Sequence, residues 1–160
     1  MTWEKTLVLV KPDGVKRGLM GSILHRYERA GLVISAVKLI SADEKLAEEH
    51  YGEHKGKSFF PSLVHLLISG PSLALVIEGA HAIEVVRKIN GDTEPRIAAP
   101  GTIRGDFTHM SYARSPELNG VIYNVVHASD STESAARELG LWFKEEDFVE
   151  PYDTVLKGFI

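Results

Sequence analysis

The chain has 160 residues, 44% of them apolar and 25% charged, with a formal net charge of −4 and no cysteine. That length suits one compact domain, 1–160, and the composition excludes disordered, collagen-like and coiled-coil chains. Disulfides, thiolate catalysis and cysteine-ligated zinc are excluded outright, and basic residues scattered singly make nucleic acid an unlikely partner.

The start, Met1-Thr2-Trp3-Glu4-Lys5, has no basic n-region. The apolar run Leu7 to Val10 is too short for a signal peptide or a membrane span, so the expected setting is the cytoplasm, with no membrane partner. Thr6 to Val10 reads as a buried central strand, stopped by Pro12 and the turn pair Asp13-Gly14. Ile23, Leu24, Tyr27 and Ala30 recur at helical spacing, giving a helix over about 21–30 with Gly31 as its stop. Val33 to Ile40 is β-branched and reads as a strand, after which Ser41 and Glu44 make a capping box for a helix reaching Tyr51. Phe60 to Ile68 reads as a helix, Ser72 to Ile77 as a third strand and Ala82 to Asn90 as another helix.

Gly91 to Gly105, with two prolines and little periodicity, reads as a long loop of the kind that carries function. Val121 to His127 is expected as a fourth strand, followed by a helix capped by Asp130 with Glu133 and ending near Phe143. The tail from Lys144 carries aromatics and Pro151 and is expected to pack on a neighbouring surface. Two split βαβ units imply an α+β ferredoxin-like plait, a four-stranded antiparallel sheet with helices packed on one face, plus extra helices and a long loop.

The densest chemistry lies at Val125-Val126-His127-Ala128-Ser129-Asp130-Ser131, where a strand runs straight into a helix start. An imidazole has an ordinary pKa of about 6.5 and is largely unprotonated, hence nucleophilic, at neutral pH. The unpaired N–H groups of a following helix would favour an anion beside it, so a phosphate-bearing substrate is the first expectation. No P-loop, dinucleotide fingerprint, His-Arg-Asp loop or nucleophile elbow is present. Among the seven histidines only His50 and His54 have a metal-ligand spacing, and two exposed helix histidines are the commoner case. No metal ligand is assigned.

Lys11-Pro12-Asp13-Gly14-Val15, Arg17-Gly18-Leu19, Ser69-Gly70-Pro71, Pro100 through Phe107, and Asn124 through Ser131 with Glu133-Ser134-Ala135 stand in colinear order over nearly the whole chain. Together they resemble a nucleoside diphosphate kinase. The resemblance implies a ping-pong reaction in which the γ-phosphoryl of a nucleoside triphosphate passes to the Nδ1 of His127 and then to a nucleoside diphosphate. It assigns Glu138 to orienting that ring, Ser129 to assisting the carboxylate, and Tyr51 to a place near the nucleophile. Lys11, Arg87, Arg104 and Thr93 are assigned to the phosphates, Phe59 to stacking on the base and Asn124 to the sugar.

Helical spacing independently sets Glu138 on the border of the face formed by Ala135, Leu139, Trp142 and Phe143. Stacking without base-edge readout implies low base selectivity. Mg2+ is expected on the substrate phosphates, with Asp130 the acid that could meet it through water. Family members are homo-oligomers, which implies the same here, a hexamer favoured over a tetramer.

The chain departs from the family pattern in three places. Ser111 to Ile122 adds about ten turn-rich residues beside the expected site and leaves the second wall of the base unassigned. Ala128 replaces a glycine and requires a negative-φ turn, and Ser58 replaces a proline. Two other readings share some of these residues: a catalytically silent nucleotide- or partner-binding module, and a histidine phosphocarrier, which would need neither Phe59 nor Asn124.

Overall fold

In the computed structural model, residues 3–118, 120–152 and 154 are described. The central strand β1 (Trp3–Val10) has Leu7 to Val10 wholly buried, which accounts for its unbroken apolar run. It pairs antiparallel with β3 (Ser72–Ala80) on one side and with β4 (Val126–Ala128) on the other; β2 (Val33–Ile40) lies outside β3, for the order β2-β3-β1-β4. Each buried Leu or Val removed from water contributes about 1.5–3 kcal/mol, so this strand anchors the sheet.

The helices cover both faces of the sheet, not one. On one face α2 (Met20–Arg29) and α5 (Ala82–Asn90) pack Ile23, Tyr27, Ala82 and Val86 against Val8, Val10, Leu75 and Ile77. On the other, α3 (Glu44–His50), α4 (Phe60–Ile68) and α7 (Thr132–Trp142) bring Ala47, Val64, Leu67 and Trp142 onto Leu7, Leu9, Ala74 and Val76. The physical reason lies in β1 and β3: strands apolar at every position have two faces to bury.

Several boundaries differ from the sequence expectation. Pro12 to Lys16 is a short helix, α1, and not a simple turn; proline at its first position suits a helix start. The cap of α3 is Asp43, whose carboxylate accepts from the Leu46 amide at 2.8 Å, and not Ser41. The cap of α7 is Ser131, in a reciprocal box with Ser134, where Asp130 and Glu133 were expected. The 91–105 segment contains a 3₁₀ turn at Pro95–Ile97 and the start of a helix, α6 (Ile103–Phe107).

The fourth strand is three residues long, because Val125 sits at φ 59 and breaks the ladder before it. A β-branched residue in that region costs on the order of 1–3 kcal/mol and is held by its surroundings. Lys11 N–H donates to the Val125 carbonyl at 2.9 Å, and the Val125 N–H donates to Asp13 Oδ2 at 3.0 Å. Gly14 makes room for this: a Cβ there would lie 3.0 Å from the same carbonyl and 2.8 Å from Val10. Ala128 is an ordinary strand residue opposite Val8, so the strain falls on Val125 instead.

The tail packs as expected over the outer strand. Asp147 pairs with Lys38 at 2.7 Å, the Phe148 ring lies 6.0 Å from that of Phe143, and the Tyr152 hydroxyl donates to the Ile34 carbonyl at 3.0 Å. Its continuation at 153 and 155–160 falls outside the described residues. The segment after Met110 forms a 3₁₀ stretch at Tyr112–Leu118, with Asn119 outside the description.

The end of α5, where the long loop departs, is tied by the buried Tyr27 hydroxyl donating to Asn90 Oδ1 at 2.6 Å. Tyr27→Phe leaves that oxygen buried without a donor and is expected to cost about 1–3 kcal/mol, read as a lower midpoint of urea unfolding at unchanged slope.

Candidate active site

Strand pairing places His127 opposite Leu9, which turns its ring toward the face covered by α3, α4 and α7. One ring nitrogen, Nε2, lies 3.0 Å from Glu138 Oε2; the same oxygen accepts from the Ser129 hydroxyl at 2.7 Å. Glu138 is only 3% exposed, deeper than the border position its helical spacing suggested. Burial by itself would raise its pKa, but the hydrogen bonds from His127 and Ser129 and the nearby imidazoles outweigh it and hold the carboxyl below its usual range. An ionised Glu138 accepts the N–H at Nε2, which leaves a lone pair on the Nδ1 of His127.

That ring opens into a cleft of about 740 Å³. Lys11, Tyr51, Phe59, Arg87, Thr93, Arg104, Asn124 and Glu138 line it with His127, and Ser129 meets the Glu138 carboxylate as expected, so the structure brings together every site residue expected from sequence. Ser129 is wholly buried behind Glu138, where its hydroxyl acts on the carboxylate and not on the cleft.

The cations are set into the wall. Lys11 is 5% exposed, and burial, with Arg104 nearby, pulls its ammonium down to about 8 against the opposing attraction of Asp13. Arg104 holds the Gly91 and Val126 carbonyls through its two terminal nitrogens at 2.8 and 2.9 Å, and burial lowers its guanidinium to about 10. Arg87 on α5 is exposed and reaches the same cleft. Desolvated cations of this kind gain strongly from an arriving anion, since water competes little for them.

The start of α7 contributes less than its position in the sequence suggests. The Asp130 and Ser131 amides donate to Ser134 Oγ, the Ser134 amide donates to Ser131 Oγ, and Ser131 and Thr132 line a separate recess. Lys11, Arg87 and Arg104 bring positive side chains to the cleft. Asp130 lies at its margin with its carboxyl lowered, chiefly by the Ser134 hydroxyl.

Tyr51 follows α3, 8% exposed, and burial raises its phenol well above the ordinary value. Phe59 is 37% exposed with the Lys57 ammonium 5.7 Å from its ring centre, a flat apolar face open to the cleft. Asn124 is buried and donates to the Thr93 carbonyl at 2.9 Å, holding the 91–105 loop to the segment before β4.

Sequence reasoning missed Arg137 and the burial of His50, and placed the 111–122 segment beside the site without assigning its residues. Tyr112, Ser115, Gly120 and Ile122 from the 111–122 segment form the cleft wall beyond Phe59, and a Cβ at Gly120 would stand 3.5 Å from the Cβ of Phe59. Arg137 donates to the Glu49 and His50 carbonyls, each at 3.3 Å, and lies 3.4 Å from Glu138, fastening α3 to α7. His50 is 2% exposed against His127 and is no half of an exposed helical pair: His54 lies beyond the helix in a 3₁₀ turn. The spacing of Ala47, His50 and Tyr51 on one helical face was the available signal.

A histidine backed by a buried carboxylate, in a cation-walled cleft with an aromatic shelf, on a ferredoxin-like plait, is an arrangement suited to phosphoryl transfer. The profile of the family described as "Nucleoside diphosphate kinase" matches residues 4–148. The nucleoside diphosphate kinase of Pyrococcus furiosus is 51% identical over 147 residues, covering 92% of this chain and 87% of its own. That of Caldanaerobacter subterraneus subsp. tengcongensis is 53% identical over 142 residues, covering 89% and 95%. Among solved structures, a transition-state mimic of the Borrelia burgdorferi enzyme with bound vanadate and ADP superposes with a TM-score of 0.91 at 43% identity, covering 96% of this chain and 94% of that one. The chain belongs to the nucleoside diphosphate kinase family and is an enzyme.

The Ser129 hydroxyl bond to an ionised buried carboxylate sets an expectation for stability. Ser129→Ala is expected to cost about 1.5–3 kcal/mol at pH 7. Because the folded-state pKa of Glu138 is lowered, that contribution is present above the unfolded carboxyl pKa of about 4.3 and is lost as pH falls through the folded value. Unfolding of both proteins at pH 7 and in progressively acidic buffer measures the narrowing gap.

Proposed function

We propose that His127 is the nucleophile of a ping-pong transfer between nucleoside triphosphates and nucleoside diphosphates. The observation that carries this reading is the Nε2 contact with Glu138 at 3.0 Å, which leaves Nδ1 unengaged by that carboxylate on a ring that lines the cleft. Nδ1 attacks the γ-phosphorus, a P–N bond forms, and the bond to the bridging β–γ oxygen breaks, so that the nucleoside diphosphate leaves with that oxygen. Glu138, held by Ser129, offsets the positive charge that builds on the ring. An entering diphosphate reverses the steps and carries the phosphoryl group away.

Phosphoryl transfer asks mainly for positioned charge, and Lys11, Arg87 and Arg104 supply it, with Thr93 as a hydroxyl donor to phosphate. Phe59 offers its face to the base, Asn124 meets the sugar, and Tyr51 closes the cleft beside the nucleophile. A face that reads no base edge serves every nucleobase alike.

A divalent metal is expected with a nucleotide kinase, and we assign Mg2+ carried on the substrate phosphates, where it would neutralise their charge. The one group of three nitrogen or carboxylate donors among the described residues, His50, His127 and Glu138, is nitrogen-rich and does not suit that hard cation. Asp130, at the margin, is the acid that would meet it through water.

The protein reads as one domain with an insertion over about 111–122, acting in the cytoplasm; no described helix is long and apolar enough to cross a membrane. A homo-oligomer, hexameric before tetrameric, suits the exposed Ile97 of the 91–105 segment and Val37 and Leu39 on the outer strand.

Incubation with γ-labelled ATP should yield an acid-labile, base-stable phosphoprotein that assorted nucleoside diphosphates discharge, with His127→Ala unlabelled. No label would support the silent module, and label that diphosphates fail to remove would support the phosphocarrier. A second test follows from Lys11. Its charged form holds phosphate and is lost above about pH 8, so ADP affinity should be level below that pH and fall by up to about tenfold per unit above it. Lys11→Gln should bind more weakly with this dependence removed, as titration calorimetry from pH 7 to 10 would read.

A further inference from the structure

Of the described histidines only His50 is buried, and neither the fold nor the proposed reaction as stated requires a histidine there. It ends α3 with its ring packed edge-to-face on His127, the centroids 4.5 Å apart and the planes at 83°. Trp142, the last residue of α7, donates from Nε1 to His50 Nδ1 at 3.2 Å, and its ring also meets His50 nearly perpendicular, at 89°. Accepting at Nδ1 sets the neutral tautomer with the proton on Nε2, which is buried and has no partner among the described residues. Burial most of all, then the charges of His127, Arg137 and His54 against the pull of Glu138, hold its pKa well below the ordinary value. The ring is thus neutral, planar and pinned at one corner.

The hydrogen bond to Glu138 fixes one nitrogen of His127 but not the plane of its ring. Rotation about the bond from Cβ to an aromatic ring is broad and only two-fold restricted, so packing must choose the angle. We propose that His50 is a positioning residue for phosphoryl transfer: anchored by Trp142, its ring is the wall that keeps the imidazole of His127 turned with Nδ1 into the cleft and Nε2 on Glu138. A cationic residue here would compete with His127 for Glu138 and repel the cationic phosphoimidazole; a hydrocarbon ring would strand the indole N–H of Trp142, which is 2% exposed. Histidine held neutral avoids both. The inference rests on His127 being the nucleophile.

Two double variants separate the wall from its anchor: His50→Phe with Trp142→Phe, which keeps a planar ring, and His50→Leu with Trp142→Phe, which fills space without one. Single-turnover labelling from γ-labelled ATP in the first should stay within about threefold of the native rate, and in the second should fall about tenfold to hundredfold with nucleotide KM unchanged. The leucine variant should also show a second phosphohistidine resonance in 31P spectra, from phosphate on Nε2. Equal rates for the two folded variants, or a loss confined to KM, would overturn the proposal.

Should the double variants not fold, His50→Gln retains an acceptor for Trp142 but no ring, and an undiminished labelling rate in that protein is the overturning result. Native protein that fails to label through His127 would refute the nucleophile itself, an outcome distinct from native labelling with indifferent variants.

Discussion

The bond between His127 and Glu138 is the contact on which the rest of the site depends. A carboxylate 3% exposed is costly unless compensated, and here the imidazole N–H, the Ser129 hydroxyl and the guanidinium of Arg137 compensate it. The same bond chooses the tautomer of His127 and hence which nitrogen meets the cleft. Stability and reactivity are therefore coupled at one oxygen atom: what keeps Glu138 ionised inside the protein also keeps a lone pair available on the far side of the ring.

The sheet supplies the rigidity this arrangement needs. β1 is buried on both faces, and it delivers Lys11 at one end while holding His127 opposite Leu9. Immediately beyond, the backbone of Lys11 and the carboxylate of Asp13 hold Val125 in a left-handed conformation that valine by itself avoids. That strain shortens β4 to three residues and leaves Ile122 and Asn124 to line the cleft, Asn124 also holding the long loop through Thr93. Lys11 and Arg104 sit in the same wall, buried, with Arg104 tied to the Gly91 and Val126 carbonyls, while Arg87 reaches the cleft from an exposed position on α5.

Much of this was legible along the chain. The apolar runs of β1 and β3, the helical spacing of α2 and α5, and the motifs around Lys11, Arg104 and His127 located the elements and nearly the whole cleft, because each depends on local periodicity or on a spacing preserved over the full length. Local reasoning failed where a competing partner decided the outcome. Asp43 and Ser131 displaced the expected caps by a residue or two, since several oxygen-bearing side chains near a helix start compete for the same amides. The strand expected from Val121 is interrupted at Val125 by groups more than a hundred residues away. At the start of α7, where an anion was expected, the Ser134 amide is engaged by Ser131 Oγ and the Ser131 amide by Ser134 Oγ.

Sequence by itself determined which residues line the cleft and the order of the elements that bear them, since hydrophobic period, turn residues and motif spacing are properties of neighbours along the chain. Tertiary structure decided which face each strand buries, that Glu138 lies inside instead of at a border, that the 111–122 segment closes the cleft beside Phe59, and that His50 stands against His127. These are contacts between segments far apart in the chain, settled by burial, desolvation and hydrogen-bond competition once the sheet has drawn them together.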